Sequence, residues 1–165
     1  MKPEQKMEGY IRKAVDEYKM LSPGDHVAVG VSGGKDSLVL LTGLWRLRRY
    51  LGIPFSLTAL TLDPCFGGKE ADYSGIAALC GEMDIPFVLR RTQIGTIIFD
   101  ERRETNPCSL CARMRRGALH DACKAMGANK LALGHNRDDA TETFVMNLFE
   151  EGRIGCFSPV TWLSR

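Results

Sequence analysis

A chain of 165 residues, 44% hydrophobic and 25% charged, has the composition of an ordinary water-soluble globular domain and can bury a real core. Its 22 basic and 20 acidic residues leave a net charge of +2, so bulk charge announces no polyanionic partner. The polar start from Met1 to Glu8 has no secretory h-region, no stretch approaches the ~20 apolar residues of a membrane span, and the six cysteines therefore read as thiols, metal ligands or redox groups of a cytoplasmic protein.

Met7, Tyr10, Ile11, Ala14, Val15 and Tyr18 recur at helical spacing, and Ser22-Pro23-Gly24-Asp25 ends that N-terminal helix. His26 to Val31 reads as a first strand. From Ser37 a helical pattern through Leu38, Leu41, Leu44 and Trp45 runs to about Leu51, closed by Gly52-Ile53-Pro54. Phe55 to Leu62 is a nearly unbroken apolar and β-branched run, the pattern of a strand covered on both faces. A helix from Glu70 to Met83, a strand from Pro86 to Arg91, a helix from Leu110 to Met126, a strand from Lys130 to Leu133 and a helix from Arg137 to Glu151 follow. In the last helix Thr143, Phe144, Asn147 and Leu148 are expected along one side, and Gln93 to Pro107 has no clear pattern. Strands alternating with helices predict a single α/β domain, 1–165, around a parallel sheet. In such a sheet ligands bind beyond the carboxyl ends of the strands, so Ser32 to Ser37, Asp63 and Gly134-His135 should face one crevice.

The segment Ser32-Gly33-Gly34-Lys35-Asp36-Ser37 lies between the first strand and the second helix. Paired glycines let bare N–H groups approach an anion, and the helix adds its positive end. Lys35 supplies a mobile cation, Ser32 and Ser37 can donate to phosphoryl oxygens, and Asp36 can hold magnesium against them. Two commoner phosphate motifs do not fit. The Walker pattern needs glycine where Val29 stands and Ser or Thr where Asp36 stands, and the dinucleotide fingerprint needs glycine in place of Ser32.

Taken together, Asp25 to Leu41, the run Gly134-His135-Asn136-Arg137-Asp138-Asp139, Thr141-Glu142-Thr143 and Cys108-Ser109-Leu110-Cys111 resemble the tRNA 2-thiocytidine synthetase family of the PP-loop ATP pyrophosphatase superfamily. That resemblance implies a doubly wound parallel sheet of the adenine nucleotide alpha hydrolase-like type. It also implies an ATP- and Mg2+-dependent enzyme that adenylates a cytosine carbonyl oxygen in tRNA and replaces it with sulfur. Lys35 and Asp36 would act on the phosphates, with Gly134, His135, Asp138 and Asp139 as a second nucleotide-contact loop. Asp63 would stand near the ribose, metal or substrate, unless it only forms the turn before Pro64. Acidic residues at a helix start are also plain dipole stabilisers, which leaves a structural role open for Asp138 and Asp139.

A lone CxxC is by itself equally redox-active, metal-binding or structural. The resemblance implies a [4Fe-4S] cluster held by three cysteines with one open iron site to carry sulfur, Cys108 and Cys111 being two of them. A helix start beside Arg113 favours the thiolates that iron requires. The family usually continues further and carries its third cysteine downstream, whereas this chain stops at Arg165; Cys65 and Cys156 are the substitutes to consider. Cys80 and Cys123 fall in apolar helical patterns and read as core. Arginine clusters at 46, 48 and 49, at 90 and 91, at 102 and 103, and at 113, 115 and 116 are either solvated faces or, on a nucleotide-binding scaffold, an RNA surface. Expected partners are tRNA and a sulfur donor such as a cysteine desulfurase or sulfide, and a homodimer stays open. The alternatives are a lysidine synthetase-like ligase, which needs no CxxC, and a nucleotide-binding or metal-sensing module without catalysis.

Overall fold

The computed structural model describes residues 3–101 and 107–162. Four strands, β1 (His26–Gly30), β2 (Ser56–Asp63), β3 (Phe87–Arg91) and β4 (Lys130–Ala132), form one parallel sheet in the order β3-β2-β1-β4. The order steps outward from β1 through β2 to β3, then returns to the other side of β1 for β4. The switch point therefore lies between β1 and β4, next to the segment that leaves β1. The helices are α1 (Pro3–Glu17), α2 (Lys35–Leu47), α3 (Ser74–Glu82), α4 (Ile94–Thr96), α5 (Pro107–Ala125) and α6 (Arg137–Glu150).

Strand alternation divides the core between the two faces of the sheet. Val27, Val29, Leu57 and Ala59 pack with Leu41 and Leu44 of α2 and Ile76 and Cys80 of α3, and Ile11 of α1 leans on this layer. On the other face Ala28 and Leu60 meet Ala122 and Cys123 of α5, and Leu62 meets Ile94 and Ile98. Every residue of β2 after Ser56 is buried, as a strand covered on both faces requires. Cys80 and Cys123 are core residues, and burial pushes both thiols up.

Boundaries differ from the sequence pattern where a tertiary hydrogen bond intervenes. The helix expected from Glu70 begins at Ser74, because the buried Asp63 carboxylate accepts from the Cys65 N–H at 3.0 Å and the Ala71 N–H at 3.0 Å and holds the intervening chain as a loop. The patternless stretch after Gln93 contains α4 and a π-helical turn, Ile97–Glu101, pinned by the buried Ile94 and Ile98. Arg102 and Arg103 lie outside the described residues. In α6 the expected side is split: Thr143 and Asn147 are part-buried, while Phe144 and Leu148 are exposed. Among the described residues no helix is long and apolar enough to cross a membrane.

At the amino edge of the sheet, Asp25 joins β1 to β4. Its buried carboxylate accepts from the Ser22 N–H at 2.6 Å, Asn129 Nδ2 at 2.8 Å and Lys130 Nζ at 3.0 Å. Burial alone would raise its pKa, but the hydrogen bonds from Ser22, Asn129 and Lys130, with the Lys130 charge, outweigh it and hold the group below the ordinary carboxylate range. A lowered folded pKa means that this stabilisation is full above the unfolded carboxylate value and is lost as pH falls through the folded one. Asp25→Ala is expected to cost about 3 kcal/mol at neutral pH. Urea unfolding of wild type and variant along an acid series checks it: the gap should close as pH falls, and a gap constant with pH would remove the ionised carboxylate from the account.

Candidate nucleotide and sulfur-transfer site

Val31 carries the chain off β1 with its N–H donating to the Leu60 carbonyl at 2.8 Å, and Thr61 Oγ1 donates to the Val31 carbonyl at 2.8 Å. The loop that follows starts from a fixed point on the sheet. Gly33 has φ +87°, a conformation L side chains rarely adopt, and Gly34 is the N-cap of α2. Ser37 Oγ donates to the Gly34 carbonyl at 2.8 Å and accepts from the Ser32 N–H at 3.2 Å. Both serines thus shape the loop. The Ser37 hydroxyl, expected from the sequence to serve phosphate, is buried and bonded within the turn.

Lys35 stands free of the fold, its side chain 85% exposed, with Nζ 2.9 and 3.0 Å from the two oxygens of Asp36. The hydrogen bond and charge of Asp36, joined by the charges of Asp139 and Asp138, push its pKa above the ordinary lysine value. Those two aspartates come from the start of α6, so the β4–α6 turn faces the same edge as the loop. Asn136 caps α6: its Oδ1 accepts from the Asp138 N–H at 2.8 Å and the Asp139 N–H at 3.4 Å, while Asp139 Oδ2 accepts from the Asn136 N–H at 2.7 Å. This reciprocal capping box gives Asp139 a structural task besides its charge. Sequence reasoning had assigned Asn136 no role of its own; the N-x-x-D spacing to Asp139 is the signal that marks the cap.

Gly134 approaches protein backbone. A Cβ there would sit 2.9 Å from the Asp36 carbonyl carbon and 2.9 Å from the Ser37 nitrogen, so the glycine lets this turn approach the first turn of α2 closely. The turn after β4 thereby braces the loop after β1. His135 is exposed, with its ring centroid 5.4 Å from that of Phe157, which the tail brings back over α6. Asn147 holds that tail, with Nδ2 donating to the Gly155 carbonyl at 2.7 Å and its own carbonyl accepting from the Arg153 N–H at 3.0 Å.

Beside Ser32 an open cleft of about 420 Å³ runs between the end of β2 and α5, walled by Asp63, Phe66, Lys69, Tyr73 and Arg115. Sequence reasoning had assigned neither Phe66, Lys69 nor Tyr73. Burial raises the Tyr73 hydroxyl pKa, and the charges of Asp63 and Cys65 add to it against the opposing Arg115. The loop that carries Phe66 packs directly on Gly95, where a Cβ would meet the Cys65 carbonyl oxygen at 2.8 Å and Phe66 Cα at 2.9 Å. Asp63 lines this cleft, but its two oxygens already accept backbone N–H groups, so its observed task is to hold the loop.

Cys108 and Cys111 occupy the first turn of α5, behind Pro107 as its first residue. Cys108 is exposed, and Cys111 is half-buried against the cluster of Leu62, Ile94 and Ile98, so the pair lies behind the wall of the cleft. The two cysteines expected to hold a cluster therefore stand on one turn of one helix. Among the described residues no third ligand stands with them: no three His, Cys, Asp or Glu side chains gather as a metal site, and neither Cys65 nor Cys156 joins the pair. The arginines also separate. Arg115 lines the cleft, Arg113 and Arg116 are exposed on the same helix, and Arg91 pairs with Glu70 at 3.0 Å. Arg46 pairs with Glu8, and Arg49 lies over the Trp45 ring, both at the end of α2 remote from the loop.

Residues 3–158 match the family model described as the PP-loop domain. A tRNA-cytidine(32) 2-sulfurtransferase of Pelobacter propionicus is 42% identical over 149 residues, covering 90% of this chain and 55% of the relative. The protein of the same name from Geobacter sulfurreducens is 38% identical over 155 residues, covering 93% and 60%. Among solved structures, the U34-tRNA thiolase NcsA from Methanococcus maripaludis with its [4Fe-4S] cluster superposes with a TM-score of 0.71 at 29% identity, over 90% of this chain and 51% of that one. The chain thus spans about half the length of the curated relatives it matches. With the glycine loop between β1 and α2, the parallel sheet around it and a match over residues 3–158, the chain belongs to the PP-loop domain family.

Proposed function

We propose that this chain carries the ATP-dependent thiolation of a cytosine base in tRNA. The observation that supports it most is the continuity of three parts on one sheet edge: the Lys35 loop, the cleft that opens beside Ser32, and the cysteine pair behind that cleft. ATP binds with its phosphates on the N–H groups of Ser32 to Ser37. Lys35 leaves its ion pair with Asp36 to neutralise them, which frees the exposed Asp36 carboxylate to hold magnesium. Gly134 and His135, with Asp138 and Asp139, close the loop from the β4 side, and Asp63 keeps the cleft open beneath the nucleoside.

The chemistry divides into two displacements. The cytosine carbonyl oxygen attacks the α-phosphorus, forming an O–P bond as the bond to pyrophosphate breaks. An amide-like oxygen leaves poorly and AMP leaves well. Hydrosulfide, supplied as such or released from a cysteine desulfurase persulfide by a thiol reductant that is oxidised to a disulfide, then attacks the ring carbon that bears the adenylated oxygen; a C–S bond forms, the C–O bond breaks and AMP departs. The chain's own contribution is positioning and charge. The backbone of the tRNA crosses Arg113, Arg115 and Arg116 on α5, in the cytoplasm where tRNA and ATP meet. A [4Fe-4S] cluster, when bound, supplies an open iron site for sulfur; Cys108 and Cys111 would give two of its thiolates, and the third comes from none of the described residues.

A two-stage assay on tRNA tests this reading. Wild type should release pyrophosphate and form thiolated base. Cys108→Ala should release pyrophosphate within ~3-fold of wild type, lose thiolated product by ~100-fold and bind less iron after anaerobic reconstitution. A variant that keeps full iron and normal thiolation makes the pair structural, and a wild type that releases no pyrophosphate on tRNA refutes the substrate.

A further inference from the structure

The loop after β2 is tightly held, and it presents an exposed ring. Asp63 accepts the Cys65 and Ala71 N–H groups across it, the Gly95 N–H donates to the Pro64 carbonyl at 2.8 Å, and the Gly68 N–H donates to the Cys65 carbonyl at 3.1 Å. Cys65, with φ +51°, takes the left-handed region that a non-glycine residue seldom enters, and Gly67 and Gly68 follow at +61° and +69°. Phe66 leaves this turn 50% exposed, although a ring of its size is ordinarily buried. It meets Phe99 of the π-helical turn edge to face, with centroids 5.9 Å apart and planes at 70°, a contact that orients the ring on the wall of the cleft. The polar groups of that cleft are equally one-sided. Both Asp63 carboxylate oxygens accept backbone N–H groups, the Asp63 carbonyl accepts from the Thr92 N–H at 2.9 Å, and Glu70 pairs with Arg91. Among the described residues the Lys69 ammonium, the Tyr73 hydroxyl and the Arg115 guanidinium have neither an ion pair nor a hydrogen bond. The acceptors are taken and the donors are free, so a ligand that satisfies this wall brings a flat ring, acceptor atoms and negative charge.

We infer, resting on the proposed thiolation, that this cleft receives the target pyrimidine nucleotide turned out of the RNA stack, with its base on the Phe66 ring and its flanking phosphates on Lys69 and Arg115. An unstacked base on an aromatic side chain, with its edge open to a hydroxyl such as that of Tyr73, is how single-stranded RNA is commonly read. The nucleoside of ATP is the competing occupant. Its phosphates, however, are matched by Lys35 and the N–H groups of the glycine loop, and an adenosine carries no charge to meet Lys69 and Arg115. The cleft also lies between that loop and the cysteine pair, where one base can present its carbonyl oxygen to the α-phosphorus and its ring carbon to sulfur. At about 420 Å³ the cleft falls within the ~300–1,000 Å³ of small-ligand sites, which suits one nucleotide and not a duplex.

Ultraviolet crosslinking tests the placement without relying on turnover. An RNA stem-loop carrying 5-iodocytidine in its loop should crosslink to the wild-type chain at Phe66, as read by mass spectrometry of the digested adduct. In steady-state pyrophosphate release, Phe66→Ala should raise KM for tRNA by ~10-fold or more, the size of one lost base stack, with KM for ATP within ~2-fold of wild type. Phe66→Trp keeps an aromatic face and should restore most of that loss, whereas Phe66→Leu keeps only the apolar bulk and should not. Lys69→Gln should flatten the salt dependence of tRNA binding by ~0.7–0.9 in log–log slope, the release of one counterion. Both side chains are exposed, so thermal unfolding of every variant should match wild type. A rise in KM for ATP in place of tRNA puts adenosine in the cleft and overturns the proposal. So does Phe66→Ala with wild-type KM for tRNA, or a crosslink that falls outside the cleft. If wild type releases no pyrophosphate on tRNA, the thiolation reading fails, and the crosslink decides alone: its presence at Phe66 keeps the RNA pyrimidine in the cleft, and its absence removes it.

Discussion

Lys35→Ala and Asp36→Asn are each expected to lower pyrophosphate release by about 100-fold or more, the usual cost of removing one preorganised charge from a phosphoryl-transfer site. The fold should be untouched. Lys35 projects into solvent and Asp36 is exposed beside it, so neither change opens a cavity or strands a buried partner. The two variants should differ in kind. Without Lys35 the loop keeps its carboxylate for magnesium and loses the cation on the phosphates, so ATP binding weakens together with turnover. Asp36→Asn leaves the cation free of its ion pair but removes the metal ligand, so raising magnesium should recover part of the activity. Pyrophosphate release measured against ATP and magnesium, beside thermal unfolding, checks both. If both variants turn over normally with unchanged nucleotide affinity, the loop is not the phosphate site. The raised pKa of Lys35 adds a further expectation: its ammonium is charged at neutral pH, so a fall in activity near neutrality has another source.

Gly134→Ala is expected to be nearly as damaging, though it alters no charge. The added methyl would meet the backbone of Asp36 and Ser37 at 2.9 to 3.0 Å, and no rotamer relieves a clash with main chain. Either the β4–α6 turn retreats or the first turn of α2 shifts with Lys35 and Asp36 on it. A displacement of this kind costs ~100-fold in a positioned reaction and ~1–3 kcal/mol of stability by overpacking. Gly81→Ala, in α3 with nothing within 4 Å of a Cβ, is the control and should be neutral or stabilise by a few tenths of a kcal/mol. Steady-state kinetics and urea unfolding of the pair separate the two glycines. Wild-type kinetics in Gly134→Ala would show that the two loops do not brace one another.

Much of this molecule was legible because its informative features are local. The strand His26 to Val31, the Ser32 to Ser37 loop and the helix after it are contiguous, so the pattern of apolar residues and the glycine pair were enough to place the loop between a strand and a helix. The alternation of strands and helices was enough for the parallel sheet, and the i, i+3 spacing behind Pro107 for two sulfurs on one helical turn. The buried cysteines at 80 and 123 followed from helical periodicity in the same way.

What only the tertiary structure decided are the partnerships between residues far apart in the chain. For Asp63 the sequence offered a ligand or a turn residue, and only the fold shows that its two oxygens accept the amides of Cys65 and Ala71. Gly134 meets α2 about a hundred residues before it, because β4 lies beside β1, an order that periodicity does not carry. Ser32, Tyr73 and Arg115 share one cleft for the same reason, and the arginines at the far end of α2 are excluded from it by the direction in which that helix runs. The apolar stripe of α6 was visible as residues, but which way it faces depends on where the preceding strand and capping box aim the helix. Periodicity states what a face is made of; sheet order and long-range hydrogen bonds choose what it meets.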